Sequence, residues 1–204
     1  MSRFALIALF GLALVAAQSA AADPAPASLN PADAPAGTYL LDKSHASVVA
    51  KVSHLGLSSY AMRFDGLDAH YDYDPAEPLA TKVMVTIDAN SLDVGDPKIG
   101  AQFAQQFLGA DQHPQITFVS TAIQPTTGDQ GVMTGDLTLN GVTKPVSLAV
   151  TFNGCGPGPF GFGGYRMGFS ATGDIKRSDF DSRAWLSMVG DDIHLVIEAE
   201  FTRK

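Results

Sequence analysis

Thr134-Gly135-Asp136-Leu137-Thr138-Leu139-Asn140-Gly141-Val142-Thr143-Lys144-Pro145-Val146-Ser147-Leu148-Ala149-Val150-Thr151-Phe152 decides the fold. Leu137 and Leu139 alternate with polar residues up to Asn140-Gly141, and Val146, Leu148, Val150 and Phe152 alternate with Ser147, Ala149 and Thr151 after it. Asn-Gly between two alternating runs is the strongest short signal for a β-hairpin, because both central residues must adopt positive φ. The same period of two recurs from Thr38 onward. Val48, Ala50, Val52 and His54 share a face, as do Tyr60, Met62 and Phe64. At Asp65-Gly66 the phase slips by one, and Leu67, Ala69, Tyr71 and Tyr73 take over, which marks a bulge or a barrel corner. Val83, Val85 and Ile87 follow, then Ile116, Phe118 and Ser120. Later runs contribute Tyr165, Met167, Phe169, Ala171 and Ile175, and finally Ile193, Leu195, Ile197, Ala199 and Phe201. Eight or nine strands at even spacing, each with one apolar face, predict an all-β antiparallel barrel or sandwich.

One segment departs from this rhythm. Between Pro97 and Gly109, Ile99, Phe103 and Phe107 recur at helical spacing, which predicts a single amphipathic helix stopped by Gly109. Its place is across one end of the barrel, with the aromatic stripe turned inward.

The N-terminus has the order of a secretory signal. Arg3 is followed by the apolar run Phe4–Ala17 and by Ala20-Ala21-Ala22, so residues 1–22 are expected to be cleaved on export to the periplasm or the outside. As a helix the run would span about 21 Å, short of the roughly 30 Å of a bilayer core. The Pro/Ala-rich stretch 23–37 reads as a tether that cannot order itself, and 38–204 as one domain. The net charge of −8 becomes more negative once Arg3 leaves, and no Lys/Arg cluster offsets it. That excludes nucleic acid and electrostatic docking on anionic lipid as functions. The single cysteine, Cys155, precludes an internal disulfide and reads as incidental.

The histidines (His45, His54, His70, His113 and His194) show no metal-binding spacing, so no metal is expected. Asp42, Ser44 and His45 sit too close along one turn for the base to stand between nucleophile and acid, so no catalytic residue is assigned. Gly154 to Gly164 reads as a flexible hairpin loop, and Arg177-Ser178-Asp179 as a structural turn with an ion pair. His54, at the end of an inward run, is a candidate for a ligand head group. Phe64, Phe103, Phe107, Phe118, Phe169, Phe180 and Trp185 are the candidate lining of an apolar ligand site.

An ordered series of stretches then carries a family resemblance: Tyr39–Val48, Ser53–Gly56, Val85–Asp93, His113–Phe118, Thr134–Val146, Gly168–Gly173, Arg177–Phe180 and Val189–Asp191. Over nearly all of 38–202 the chain resembles the YceI-like family of exported lipid- or polyisoprenoid-binding proteins. The resemblance implies an eight-stranded lipocalin-like barrel holding an isoprenoid lipid, such as a quinone or polyprenyl compound, for transport, storage or sequestration. A strand of ten residues spans about 33 Å, and tilt reduces the barrel height to roughly 25 Å. No cofactor is implied beyond that lipid, and neither is stable membrane insertion; a second copy of the chain stays open as a partner. The chain departs from the family pattern at Gly95-Asp96-Pro97-Lys98, at Ser53 and at Asp181, where a head group is expected. The alternatives are an enzyme acting on such a lipid and a stress-related barrel that binds partners through its outer surface.

Overall fold

A computed structural model describes residues 27–159 and 162–204; the signal expectation for 1–22 falls outside them. In chain order the elements are β1 (Gly37–His54), β2 (Ser58–Phe64), β3 (Leu67–Tyr73), β4 (Val83–Asp88), β5 (Leu92–Asp93), α1 (Pro97–Leu108), β6 (Gln115–Pro125), β7 (Gln130–Leu139), β8 (Val142–Pro157), β9 (Tyr165–Lys176) and β10 (Val189–Arg203). All pairings are antiparallel, in the order β1-β3-β4-β6-β7-β8-β9-β10, and β10 pairs back onto β1. This is the expected closed barrel of eight strands, with β2 and β5 as additions.

The Asn140-Gly141 hairpin forms as read, with φ of 51° and 74° and Leu139 paired with Val142. The phase slip at Asp65-Gly66 is a corner. β2 pairs with the second half of β1 and β3 with its first residues, so the two are halves of one wall strand turned at that dipeptide. Only glycine fits there: a Cβ on Gly66 would lie 2.9 Å from that of Asp88.

The helix begins and ends where its cap residues dictate. Asp96 accepts hydrogen bonds from the Lys98 and Ile99 amides, Pro97 opens the first turn, and Gly109 closes the last one at φ 61°. Its packed face differs from the expected stripe. Gly100 and Ala104 are the buried residues, because the helix backbone approaches β5 closely enough that a Cβ on Gly100 would meet the Leu92 carbonyl at 2.5 Å. Phe103 and Phe107 do turn inward, while Ile99 is exposed.

The tether expectation needs correction from residue 27 on. Ser28 forms a β-bridge with Cys155, and residues 28–36 run as a strap across the barrel end opposite the helix. Three tyrosines hold it: Tyr39 donates to the Pro35 carbonyl at 2.8 Å, Tyr73 to Pro31 at 2.7 Å and Tyr165 to Asp33 at 3.0 Å. Composition predicted too little apolar burial to order this stretch; backbone carbonyls meeting distant hydroxyls do the ordering instead. Tyr39 stacks on Tyr71 with centroids 5.3 Å apart. Gly154 to Pro157 are likewise strand and not loop, and Cys155 is buried beneath the strap.

Apolar residues point into the barrel, while Lys51, Asp72, Asp136, Ser170 and Glu200 lie on the outward parity. That is the inverse of a membrane-spanning barrel, whose outer band is apolar. Among the described residues no helix is long and apolar enough to cross a membrane.

Burial pushes the Tyr39 hydroxyl up to about 12. The Tyr165 hydroxyl also rises to about 12, chiefly through its hydrogen bond to the Cys155 sulfur. Neutral tyrosine is favoured in the folded state, so this contribution is complete below the free value of 10.0 and is lost as pH rises toward 12. Urea unfolding followed at increasing pH, alongside tyrosinate absorbance, should show stability holding to about pH 10 and falling above it.

Candidate ligand cavity

The strand parities converge on one space. A cavity of about 550 Å³ extends from Phe103 and Phe107 of α1 to Leu29 and Pro31 of the strap. Such a volume is in the range of small-molecule sites, roughly 300–1,000 Å³. Val48, Val85, Leu137, Val150 and Ile197 all line it, yet each stays only half-buried. Inward side chains that stay only half-buried face a void, not a packed neighbour. The bore is wide enough because eight strands enclose slightly more than their side chains fill.

At the helix end, an arc of rings forms the rim. His54 lies 6.3 Å from Tyr60 between centroids, Tyr60 6.1 Å from Phe103, Phe103 5.3 Å from Phe107, and Phe107 5.6 Å from Trp185. Outside the arc, Leu55, Leu57, Trp185, Leu186 and Met188 are exposed. The Leu55 amide donates to the Met188 carbonyl at 2.8 Å, tying the two loops together. Leu55 and Trp185 both hold left-handed backbone, with φ of 54° and 55°, a conformation that costs a non-glycine residue about 1–2 kcal/mol.

Of the candidate residues, His54, Phe64, Phe103, Phe107, Phe118, Phe169 and Trp185 line the cavity. Phe180 does not. It is 1 % exposed and belongs to the packed core, where its carbonyl accepts a hydrogen bond from Asn140. It sits in a 3₁₀ turn, where strand alternation gives no inward or outward assignment. Sequence reading missed the opposite case, Arg177. This side chain is 5 % exposed and lines the cavity beneath the Phe107 ring, 5.6 Å from its centroid. The expected ion pair with Asp179 is absent; Arg177 donates to the carbonyls of Gly190, Ser182 and Val189 at 2.8–2.9 Å. Backbone acceptors carry no sequence signature, so no residue pattern could have revealed them.

The Asp42-Ser44-His45 cluster lies in a bulge of β1, where pairing with β10 jumps from Leu41 to Ala46. His45 Nδ1 meets both Ser44 Oγ and Asp42 Oδ2 at 3.0 Å. One ring nitrogen serves both partners, so no proton relay runs through the imidazole. Hydrogen bonds from Ser44, then His45 and Arg166, hold the Asp42 carboxyl well below the usual carboxylate range against its desolvation. The cluster knits β1 to β9. Among the described residues, no three His, Cys, Asp or Glu side chains gather as a metal site. No two titratable side chains lining the cavity hydrogen-bond each other there either.

The model of the YceI-like domain matches residues 39–201. The chain belongs to the YceI-like family. It is 37 % identical to a UPF0312 protein of Ectopseudomonas mendocina across 100 % of both chains. The crystal structure of Burkholderia cenocepacia BcnA superposes with a TM-score of 0.68 at 27 % identity, covering 78 % of this chain and 98 % of that one. A polyisoprenoid binding domain from Saccharophagus degradans superposes at 0.59 with 14 % identity, covering 81 % and 98 %, which is a likeness of fold alone.

Two phenylalanines separate lining from core. Phe180→Ala should cost about 3–5 kcal/mol in chemical denaturation, the range for emptying a packed site. Phe103→Ala should cost under about 2 kcal/mol, because its ring already borders open space.

Proposed function

We propose that this protein is an exported carrier or sequestering protein that holds an isoprenoid lipid of quinone or polyprenyl type, or a similar amphiphile, with its tail inside the barrel. The observation that carries this reading is the continuous apolar void between the helix and the opposite rim. Each CH₂ taken from water into such a space contributes about 0.8 kcal/mol before ordering costs, so several isoprene units suffice for tight binding. Family membership supports the reading, as does the superposition on a domain described as polyisoprenoid binding. The composition of residues 1–22 supports export to the periplasm or beyond.

An enzyme acting on the same lipid is less well supported. Turnover would need an acid and a base within reach of one reacting atom, and the cavity walls offer His54, tyrosines, Asp129, Glu198 and Arg177 without a hydrogen-bonded pair among them. A barrel acting through its outer surface alone would leave the void without a purpose.

The test is native mass spectrometry of the purified protein, lipid extraction, and uptake of added polyprenyl compounds by delipidated protein. A bound amphiphile, or uptake of one, is expected. Ala171 lines the middle of the bore, paired with Val150 and Ile197. Ala171→Trp should lower uptake at least about tenfold while the folded circular dichroism signal persists, since the indole would occupy the space of the tail. A delipidated protein that takes up no amphiphile would overturn the reading.

A further inference from the structure

Three polar residues are buried among those described: Ser120, Arg177 and Ser182. Ser120 spends its oxygen on the Val83 amide at 2.8 Å. The other two both line the cavity, and both lie at the helix end.

Their bonding is incomplete. A guanidinium carries five N–H groups, and three are committed to the carbonyls of Gly190, Ser182 and Val189. One donor is left on each terminal nitrogen. No carboxylate comes within ion-pair distance of Arg177 among the described residues. Asp191, the acid whose charge acts on Arg177, is occupied by the Ser178 amide and hydroxyl at 2.8 and 2.7 Å. Ser182 is 4 % exposed; its amide donates to the Arg177 carbonyl, and its hydroxyl has no hydrogen-bond partner among the described residues. A buried guanidinium without an ion-paired carboxylate is costly, and the Ser182 hydroxyl is not sealed off from the bore that its residue lines. They occur side by side at the wall of an apolar bore, with the Phe107 ring of the arc over the guanidinium.

We propose that Arg177 and Ser182 form the head-group end of the cavity. They would hold an oxygen that accepts hydrogen bonds, a quinone carbonyl or a phosphate oxygen, on an isoprenoid whose tail runs toward the strap. The inference rests on the tail-binding reading above and adds to it an orientation and a class of head group. The three carbonyl bonds fix the guanidinium plane, so its free donors point the same way in every molecule. The Phe107 ring over the guanidinium excludes water from one side, which strengthens any bond the remaining donors make. Hydrocarbon cannot satisfy these groups; an oxygen-bearing head can.

The experiment measures the affinity of delipidated full-length protein for three probes of equal chain length: a polyprenyl phosphate, a polyprenyl benzoquinone and the corresponding polyprenyl hydrocarbon. At least one oxygen-bearing probe should bind about tenfold or more tighter than the hydrocarbon, the discrimination expected of one hydrogen bond to a charged donor. A preference for phosphate that weakens with salt identifies an anionic head; a salt-independent preference for the quinone identifies a neutral one. Ser182→Ala should lower that preference, taken as the ratio to hydrocarbon affinity in the same variant, about threefold or more and Arg177→Lys about tenfold. Ser182→Ala removes no bond the hydroxyl makes within the protein, so it keeps the test valid if Arg177→Lys fails to fold. Equal affinity for all three probes, or a preference untouched by Ser182→Ala, would overturn the head-group assignment and leave tail binding intact. No binding of any probe, the hydrocarbon included, would overturn both.

Discussion

The seam between β1 and β10 is what turns a pleated sheet into a container. Without it, the outer strands would expose unpaired backbone groups and the apolar face would have to fold against itself. With it, each of the eight wall strands has two neighbours, and the apolar faces look at one another across a bore that their side chains only partly occupy. Alternation then assigns chemistry by parity: grease inside, charge outside. The seam is interrupted twice, at the bulge of residues 42–45 and again between Val52 and His54, and at the first of these polar side chains replace the missing ladder bonds.

Much of this architecture could be read from period and turn chemistry. The Asn140-Gly141 hairpin, the corner at Asp65-Gly66 and the helix stop at Gly109 each depend on residues adjacent in the chain, and each formed where read. Parity carried the cavity lining, since one inward residue per pair fixes a whole strand. The strap, Arg177 and Phe180 escaped for a shared reason. Their partners are backbone groups or turns distant in sequence, and neither leaves a periodic trace. The strap is the clearest case: Pro31, Asp33 and Pro35 look like linker, and become structure only because Tyr73, Tyr165 and Tyr39 arrive beneath them.

The cavity also illustrates how an apolar site acquires direction. A bore lined uniformly with Val, Leu and Phe would accept a chain in either sense. Among the described lining residues, the two polar ones that are buried, Arg177 and Ser182, stand at one end and break that symmetry, and the protein bears the cost of burying the guanidinium by solvating it with three of its own carbonyls. The strained backbone at Leu55 and Trp185 lies at the same end, so departures from local preference cluster around the mouth and leave the strands regular.

The strap has a consequence for orientation. Ser28 bridges to Cys155 and the Lys204 amide donates to Thr38, so both extremities of the described domain emerge from the pole opposite the aromatic doorway. A reporter, bead or surface attached at either extremity would therefore leave the doorway unobstructed and facing outward, an asymmetry that makes immobilised protein suitable for measuring cargo exchange.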